Sequence, residues 1–430
     1  MTMLIDRALR ASTGGLAVIV AAGLACQPIA QAAVPDPAVT PGVSLTSGWS
    51  GDPDVAQAFV MGATGFSTPS PFFADTAAEL YLSRSGFTGV PQSLTTPQLA
   101  NNYGASEHEG ADILVKAIQD RIGEGGIDED NPIYVFGYSQ SAAMSTYAME
   151  QLDDAGVDHD WVRFVMVGNT ANPNGGLLTA FDLFGTHPFI PGPNVTLDQA
   201  TPDGLYSAAV YTLEYDGWAD FPRYPLNFIS VLNDIAGMAM NHPLYLGLTQ
   251  DQIDNAVLLP TEGESDVDYY MIRSEILPLL APVRLMPFFG KALYDLFEPV
   301  TRILVNLGYG NIDHGWNDGP ANVATPISFG MPDLNWNEVM AALNAAWQQG
   351  MAAYNADVPT MFTPEALMDN PVIAAVVESM YGGGGITDAD PDSWMDLFNS
   401  IVISQPGEPV QDIGDLLETG SLAGLLSALL

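Results

Sequence analysis

The chain has 430 residues and a formal net charge of −40, from 51 acidic and only 11 basic residues. Such a surface repels nucleic acid and anionic membranes and argues against a phosphorylated substrate. Charged residues are still only 14% of the total, so the surface must also carry polar neutral side chains and exposed apolar area, and the length allows one large core plus an appendage.

The N-terminus reads as a targeting segment. Arg7 and Arg10 make a basic start, residues 14–25 are an apolar run too short to span a bilayer, and Ala30-Gln31-Ala32 is a cleavage pattern. Residues 1–32 are therefore expected to be a signal peptide, with the mature chain starting at Ala33. The arginines are not adjacent, so a twin-arginine route is not indicated. Cys26 is the single cysteine; a lipoprotein signal would place Leu where Gly23 stands, so lipidation at Cys26 is the lesser alternative. Without residues 1–32, 9 basic and 50 acidic residues remain, a net of −41, and no cysteine is left. The expectation is an exported protein, secreted or held in the cell envelope, with no disulfide-linked partner. No other apolar run reaches 18 residues.

Residues 33–47 lie in a Pro/Gly/Ser/Thr-rich stretch that reads as an arm or linker. Residues 55–61 read as the first core strand, running into the small-residue loop Gly62-Ala63-Thr64-Gly65. Ile113, Leu114, Ala117, Ile118 and Ile122 recur at helical spacing over 107–122. Pro132-Ile133-Tyr134-Val135-Phe136 reads as a buried strand and residues 141–150 as a helix. Between them stands Gly137-Tyr138-Ser139-Gln140-Ser141. A strand, a sharp turn with Ser at its apex and a helix make a nucleophile elbow, which needs small flanking residues and aims a helix N-terminus at any oxyanion. Ser141 stands where Gly is standard.

Residues 161–167 and 208–215 read as further strands. Strands alternating with helices at this pitch imply an α/β protein with a mostly parallel sheet covered on both faces. Residues 226–300 read as a helical, cap-like segment and 303–307 as a last strand. Helical patterns return at 335–356, 366–380 and 413–430, with a glycine hinge at 382–385, giving a helical C-terminal extension over 333–430.

A Ser nucleophile needs a base, and the base needs an orienting acid. The α/β-hydrolase order is Ser, acid, His, which excludes His108 and disfavours His159; His187 sits in Thr186-His187-Pro188. Asp216, at the end of the 208–215 strand, leads as the acid, with Asp220 as runner-up. His242, 26 residues after Asp216, leads as the base, with His314 in reserve. The oxyanion donors are expected to be the backbone N–H of Gln140 and one from the Ala63-Thr64 loop. No metal or cofactor motif competes.

These residues resemble the PE-PPE domain, a serine-hydrolase domain of some mycobacterial PE and PPE proteins. The resemblance rests on Gly62-Ala63-Thr64-Gly65, the 137–141 elbow, Gly168-Asn169 with Pro173-Asn174-Gly175-Gly176, the long Tyr215–Pro225 segment, His242, and Leu304 to Gly310. It covers residues 48–331 and accounts for Ser141. It implies an α/β-hydrolase over 48–332 related to cutinases, acting on short- to medium-chain acyl or lipid esters without a cofactor. Some relatives look like acyltransferases building cell-envelope glycolipids, so a glycolipid partner is implied as an alternative. The chain departs from the family's usual context in carrying no PE or PPE module. A non-catalytic envelope-binding protein on the same scaffold is the third reading.

Overall fold

The structure, a computed structural model, describes residues 57–361 except 184–186, 192–193, 198–199 and 287. The targeting segment, the 33–47 arm, the 366–380 and 413–430 helices and the 382–385 hinge lie outside the described residues.

Nine strands are described: β1 (Gln57–Val60), β2 (Val90–Ser93), β3 (Ile133–Tyr138), β4 (Val162–Val167), β5 (Phe189–Ile190), β6 (Val195–Thr196), β7 (Ala208–Leu213), β8 (Val257–Leu258) and β9 (Val267–Ile272). Seven form one sheet in the order β2-β1-β3-β4-β7-β9-β8. All its pairings are parallel except β8 with β9. β5 and β6 make a separate antiparallel ribbon. Every residue of β3 is buried, as a central strand covered on both faces requires.

The helices are α1 (Pro71–Leu80), α2 (Tyr103–Gly123), α3 (Gln140–Asp154), α4 (Leu177–Ala180), α5 (Phe228–Met240), α6 (Gln250–Asp254), α7 (Ala281–Arg284), α8 (Gly290–Asn306) and α9 (Trp336–Asp357). Alternate residues of β3 feed two cores. Tyr134 and Phe136 pack with α1 and the 244–248 segment on one face. Ile133 and Val135 pack with α2 and α3 on the other. A parallel sheet clad on both faces, with the β3–Ser139–α3 turn at its middle, is the α/β-hydrolase fold.

Three expectations are corrected. Residues 303–307 are not a strand: 303–306 form the last turn of α8, where Val305 and Asn306 are buried. The 226–300 segment is not wholly helical, because it contributes β8 and β9 to the sheet. The strand expected over 208–215 is shorter: β7 stops at Leu213, and Tyr215 turns the chain with φ 65°. The first helix of the C-terminal extension, α9, packs along α8. Gly350 permits this, since a Cβ there would stand 2.1 Å from the Leu296 carbonyl oxygen. Lys291 Nζ ties the pair, 2.7 Å from Asp295 and 2.8 Å from Asp357.

Candidate active site

Ser139 occupies the apex of the β3–α3 turn with φ 58° and ψ −115°, a conformation that a residue with a side chain adopts only under constraint. The constraint comes from the adjacent strand β4 and from the turn itself. The Ser139 N–H donates to the Val167 carbonyl at 3.0 Å, and its own carbonyl accepts the N–H groups of Ala142 and Ala143. Gly137 is required, because a Cβ there would stand 2.7 Å from the Ser141 carbonyl oxygen. Ser141 does more than fit. Its hydroxyl accepts the Tyr138 N–H at 2.8 Å and donates to the Tyr138 carbonyl at 3.1 Å, closing the turn from the far side.

Ser139, His242 and Asp216 come together in one hydrogen-bonded chain. Ser139 Oγ lies 2.7 Å from His242 Nε2, and His242 Nδ1 lies 2.7 Å from Asp216 Oδ2. All three are buried, at 4%, 7% and 0% exposure. Asp216 is held by two more donors: the Trp218 N–H to Oδ1 at 3.1 Å and the Tyr245 hydroxyl to Oδ2 at 2.7 Å. Tyr245 is itself fixed, since its oxygen accepts the Leu213 N–H and its carbonyl accepts the Tyr81 hydroxyl. The His242 carbonyl accepts the Tyr138 hydroxyl, so the strand that carries the Ser also grips the His. On the other side stands Gly168, at φ 56°, where a Cβ would lie 3.0 Å from His242 Cε1 and 2.8 Å from the Tyr245 ring.

Asp220 points elsewhere. Its Oδ2 accepts the Tyr215 N–H at 3.1 Å, so it braces the turn that presents Asp216. Arg223 lies over the Tyr224 ring. A second buried acid, Asp234, accepts the Tyr309 hydroxyl at 2.7 Å, and that hydroxyl also reaches the Asp220 carbonyl at 3.1 Å. Burial pushes the Asp220 carboxyl well above the usual range, and the Asp234 charge pushes it further. Burial does the same to Asp234, with Asp216 adding to it against the Tyr309 hydrogen bond.

His314 is not brought to Ser139. It stacks on Trp316 with ring centroids 3.9 Å apart and lies 3.4 Å from the Asp318 carboxylate. Burial lowers its pKa, against an opposing effect of Asp318. His159 and His187 pair at the surface with Asp153 and Asp182. His108 rests on Tyr147.

The backbone N–H of Gln140 opens α3 directly after Ser139. The Gln140 side chain is buried, donating to the Leu99 carbonyl and accepting from the Ser106 hydroxyl, both at 3.2 Å. The Ala63-Thr64 loop follows β1, which pairs with β3, and so lies beside the elbow at the carboxyl edge of the sheet. It is closed by Phe66 N–H to the Ala63 carbonyl and Gly65 N–H to the Gln98 carbonyl, each 2.9 Å. Ligands of open α/β sheets bind at this edge.

Sequence reasoning missed Tyr138, Tyr245, Gly168, Asp234 and Tyr309 as parts of the site. Only Tyr138 and Gly168 carried a signal, as neighbours of the elbow and of a strand end. Among the described residues no group of His, Cys, Asp and Glu could hold a metal ion, and no helix is long and apolar enough to cross a membrane.

The sequence profile of the PE-PPE domain matches residues 85–310. The chain belongs to the PE-PPE domain family. The uncharacterized PPE family protein PPE28 of Mycobacterium tuberculosis (strain ATCC 25618 / H37Rv) is 42% identical over 317 residues, 71% of this chain. The present chain spans only 47% of that relative's length. Esterase PE16 of the same strain is 30% identical over 403 residues, covering 89% of this chain and 70% of its own. Among solved structures, lysin B from mycobacteriophage D29 aligns over 43% of this chain and 73% of its own at 18% identity and a TM-score of 0.27, a remote likeness.

Proposed function

We propose that the PE-PPE domain of this chain is a serine esterase acting on short- to medium-chain carboxylic esters of lipid type through an acyl-enzyme. The observation that carries the reading is the chain of two 2.7 Å hydrogen bonds linking Ser139 Oγ, His242 and Asp216. In this mechanism Ser139 Oγ attacks the ester carbonyl carbon while His242 Nε2 takes its proton. Asp216 holds the ring by Nδ1 and balances the imidazolium. The tetrahedral oxyanion is met by the Gln140 N–H and by an N–H of the Ala63-Thr64 loop. His242 returns its proton to the departing alcohol, and water then attacks the acyl-Ser139 with His242 again as base. The name of the relative esterase PE16 supports this class of reaction.

The test is hydrolysis of p-nitrophenyl butyrate. Ser139→Ala should lower the rate by on the order of 10⁴ to 10⁶ with the fold intact by circular dichroism. A variant within tenfold of the parent contradicts the assignment. Export is part of the same proposal. Mass spectrometry of the exported chain should find Ala33 at the N-terminus, and a diacylglyceryl group on Cys26 would contradict it.

A further inference from the structure

The first turns of helix α5 (Phe228–Met240) are turned inside out. A surface helix ordinarily buries its apolar stripe and shows polar side chains to water. Here Ser230, Asn233, Asp234 and Gly237 face inward and are buried, and apolar burial resumes only at Met238 and Met240 in the last turn. Each polar side chain makes a hydrogen bond inward: the Ser230 hydroxyl donates to the Val305 carbonyl, Asn233 Oδ1 accepts the Leu279 N–H at 3.0 Å, and Asp234 Oδ1 accepts the Tyr309 hydroxyl. The outward side carries Phe228 at 71% exposure, Ile229 at 37% and Leu232 at 53%, with Leu226 at 52% just before the helix. Phe228 and Leu232, four apart, lie on one stripe.

The position of this face matters. The chain enters α5 from the loop that presents Asp216 and leaves it through Asn241 into His242. The C-terminal end of the helix thus leads straight into the hydrogen-bonded site, while its N-terminal end is held on α8, where Asn227 Nδ2 donates to the Leu304 carbonyl at 2.7 Å. Its middle packs on the loop that presents Asp216: a Cβ on Gly217 would stand 2.7 Å from the Asp234 carbonyl oxygen, and Gly237 lies against the Tyr215 carbonyl. Phe66 and Leu99, in the loops after β1 and β2, are exposed at the carboxyl edge of the sheet.

The charge distribution says what can sit there. Between Arg223 and Asp251 the sequence contains one acidic residue, Asp234, and no Lys or Arg. Asp234 is fully buried. In a chain of net charge −40, this stretch adds no acidic side chain to the surface and exposes Phe, Ile and Leu instead. A basic partner would find no counter-charge there, and an anionic membrane would be repelled by the rest of the surface. An uncharged apolar surface meets no such obstacle.

We propose that the Leu226–Leu232 face of α5 is the surface by which the protein seats on an aggregate of uncharged lipid, bringing Ser139 against esters carried in it. The purpose of the surface rests on the esterase reading, but the binding itself does not.

The experiment uses the full chain with Ser139→Ala, so that no lipid is consumed. It is floated with phosphatidylcholine vesicles and with vesicles enriched in phosphatidylglycerol. The parent should bind phosphatidylcholine and bind the anionic vesicles more weakly at low salt. Adding Phe228→Ser and Leu232→Ser should weaken phosphatidylcholine binding by roughly tenfold or more. The same two substitutions with Ser139 intact should leave hydrolysis of soluble p-nitrophenyl acetate within about twofold, because neither side chain belongs to the hydrogen-bonded site. A parent that does not bind neutral vesicles, or a substituted protein that binds them equally well, overturns the proposal. A parent dimer that these substitutions turn into a monomer assigns the face to a second copy and also overturns it. Vesicle binding by a chain that hydrolyses no ester would overturn the esterase reading and uphold this surface.

Discussion

Ser139 and His242 meet at 2.7 Å, but opposite means position them. Apart from one bond to the Val167 carbonyl, Ser139 is set by its immediate neighbours: Gly137, the Ser141 hydroxyl and the first N–H groups of α3 all lie within four residues of it. His242 is set by contacts distant in sequence. Tyr138 holds its carbonyl from 104 residues away, Asp216 holds the ring, and Gly168 leaves the ring its space. A turn whose geometry is built locally can be recognised from a few residues. A ring held by a folded network cannot, and the same network is where a distant substitution can reach the chemistry.

The sharpest contrast within the network is between its two acids. Asp216→Asn should cost on the order of 10⁴ in kcat, because the amide can hold the wrong His242 tautomer. Asp220→Asn should cost less than about tenfold, since Asp220 braces Tyr215 and does not touch the ring. Equal losses in p-nitrophenyl butyrate assays would erase the distinction between an orienting acid and a brace. Gly168→Ala comes next. The added methyl meets His242 and Tyr245 at a positive φ, so kcat should fall by about 10² and stability by about 1 kcal/mol or more. Unchanged kcat and melting temperature would show that the ring is not confined from that side.

Legibility followed the same division. β3, α3 and the elbow could be read because hydrophobic run, small residues and helix pattern agree within 20 residues. The carboxyl-edge position of Asp216 was also legible, although β7 ends earlier than its apolar run suggests. The failures have physical causes. Ile303-Leu304-Val305 is β-prone, and Pro299 looks like a helix stop, yet Pro299 lies inside α8. The sheet position expected there is taken by β9, whose Asp268 is exposed and interrupts the apolar pattern. β2 was hidden by Pro91, which is tolerated because β2 is the sheet edge. The pairing of Asp234 with Tyr309 gave no local signal, because it spans 75 residues.

The smallest expected effect concerns that partnership. Burial raises the folded-state pKa of Asp234 above its unfolded value, with the Asp216 charge adding to it against the Tyr309 hydrogen bond. Between the unfolded and folded values the folded chain binds more protons, so stability falls as pH rises above about 4. In Asp234→Asn this contribution is gone. Its melting temperature should therefore drop less than the parent's between pH 5 and pH 8. Parallel curves would show that Asp234 does not contribute to the pH dependence.

The central claim is that His242 makes Ser139 the nucleophile. It is tested most directly by mass spectrometry after exposure to a fluorophosphonate. The account predicts one adduct, on Ser139, formed rapidly by the parent and at least a hundredfold more slowly by His242→Ala. An adduct on another serine, or labelling of Ser139 at the same rate without the His242 imidazole, would contradict it.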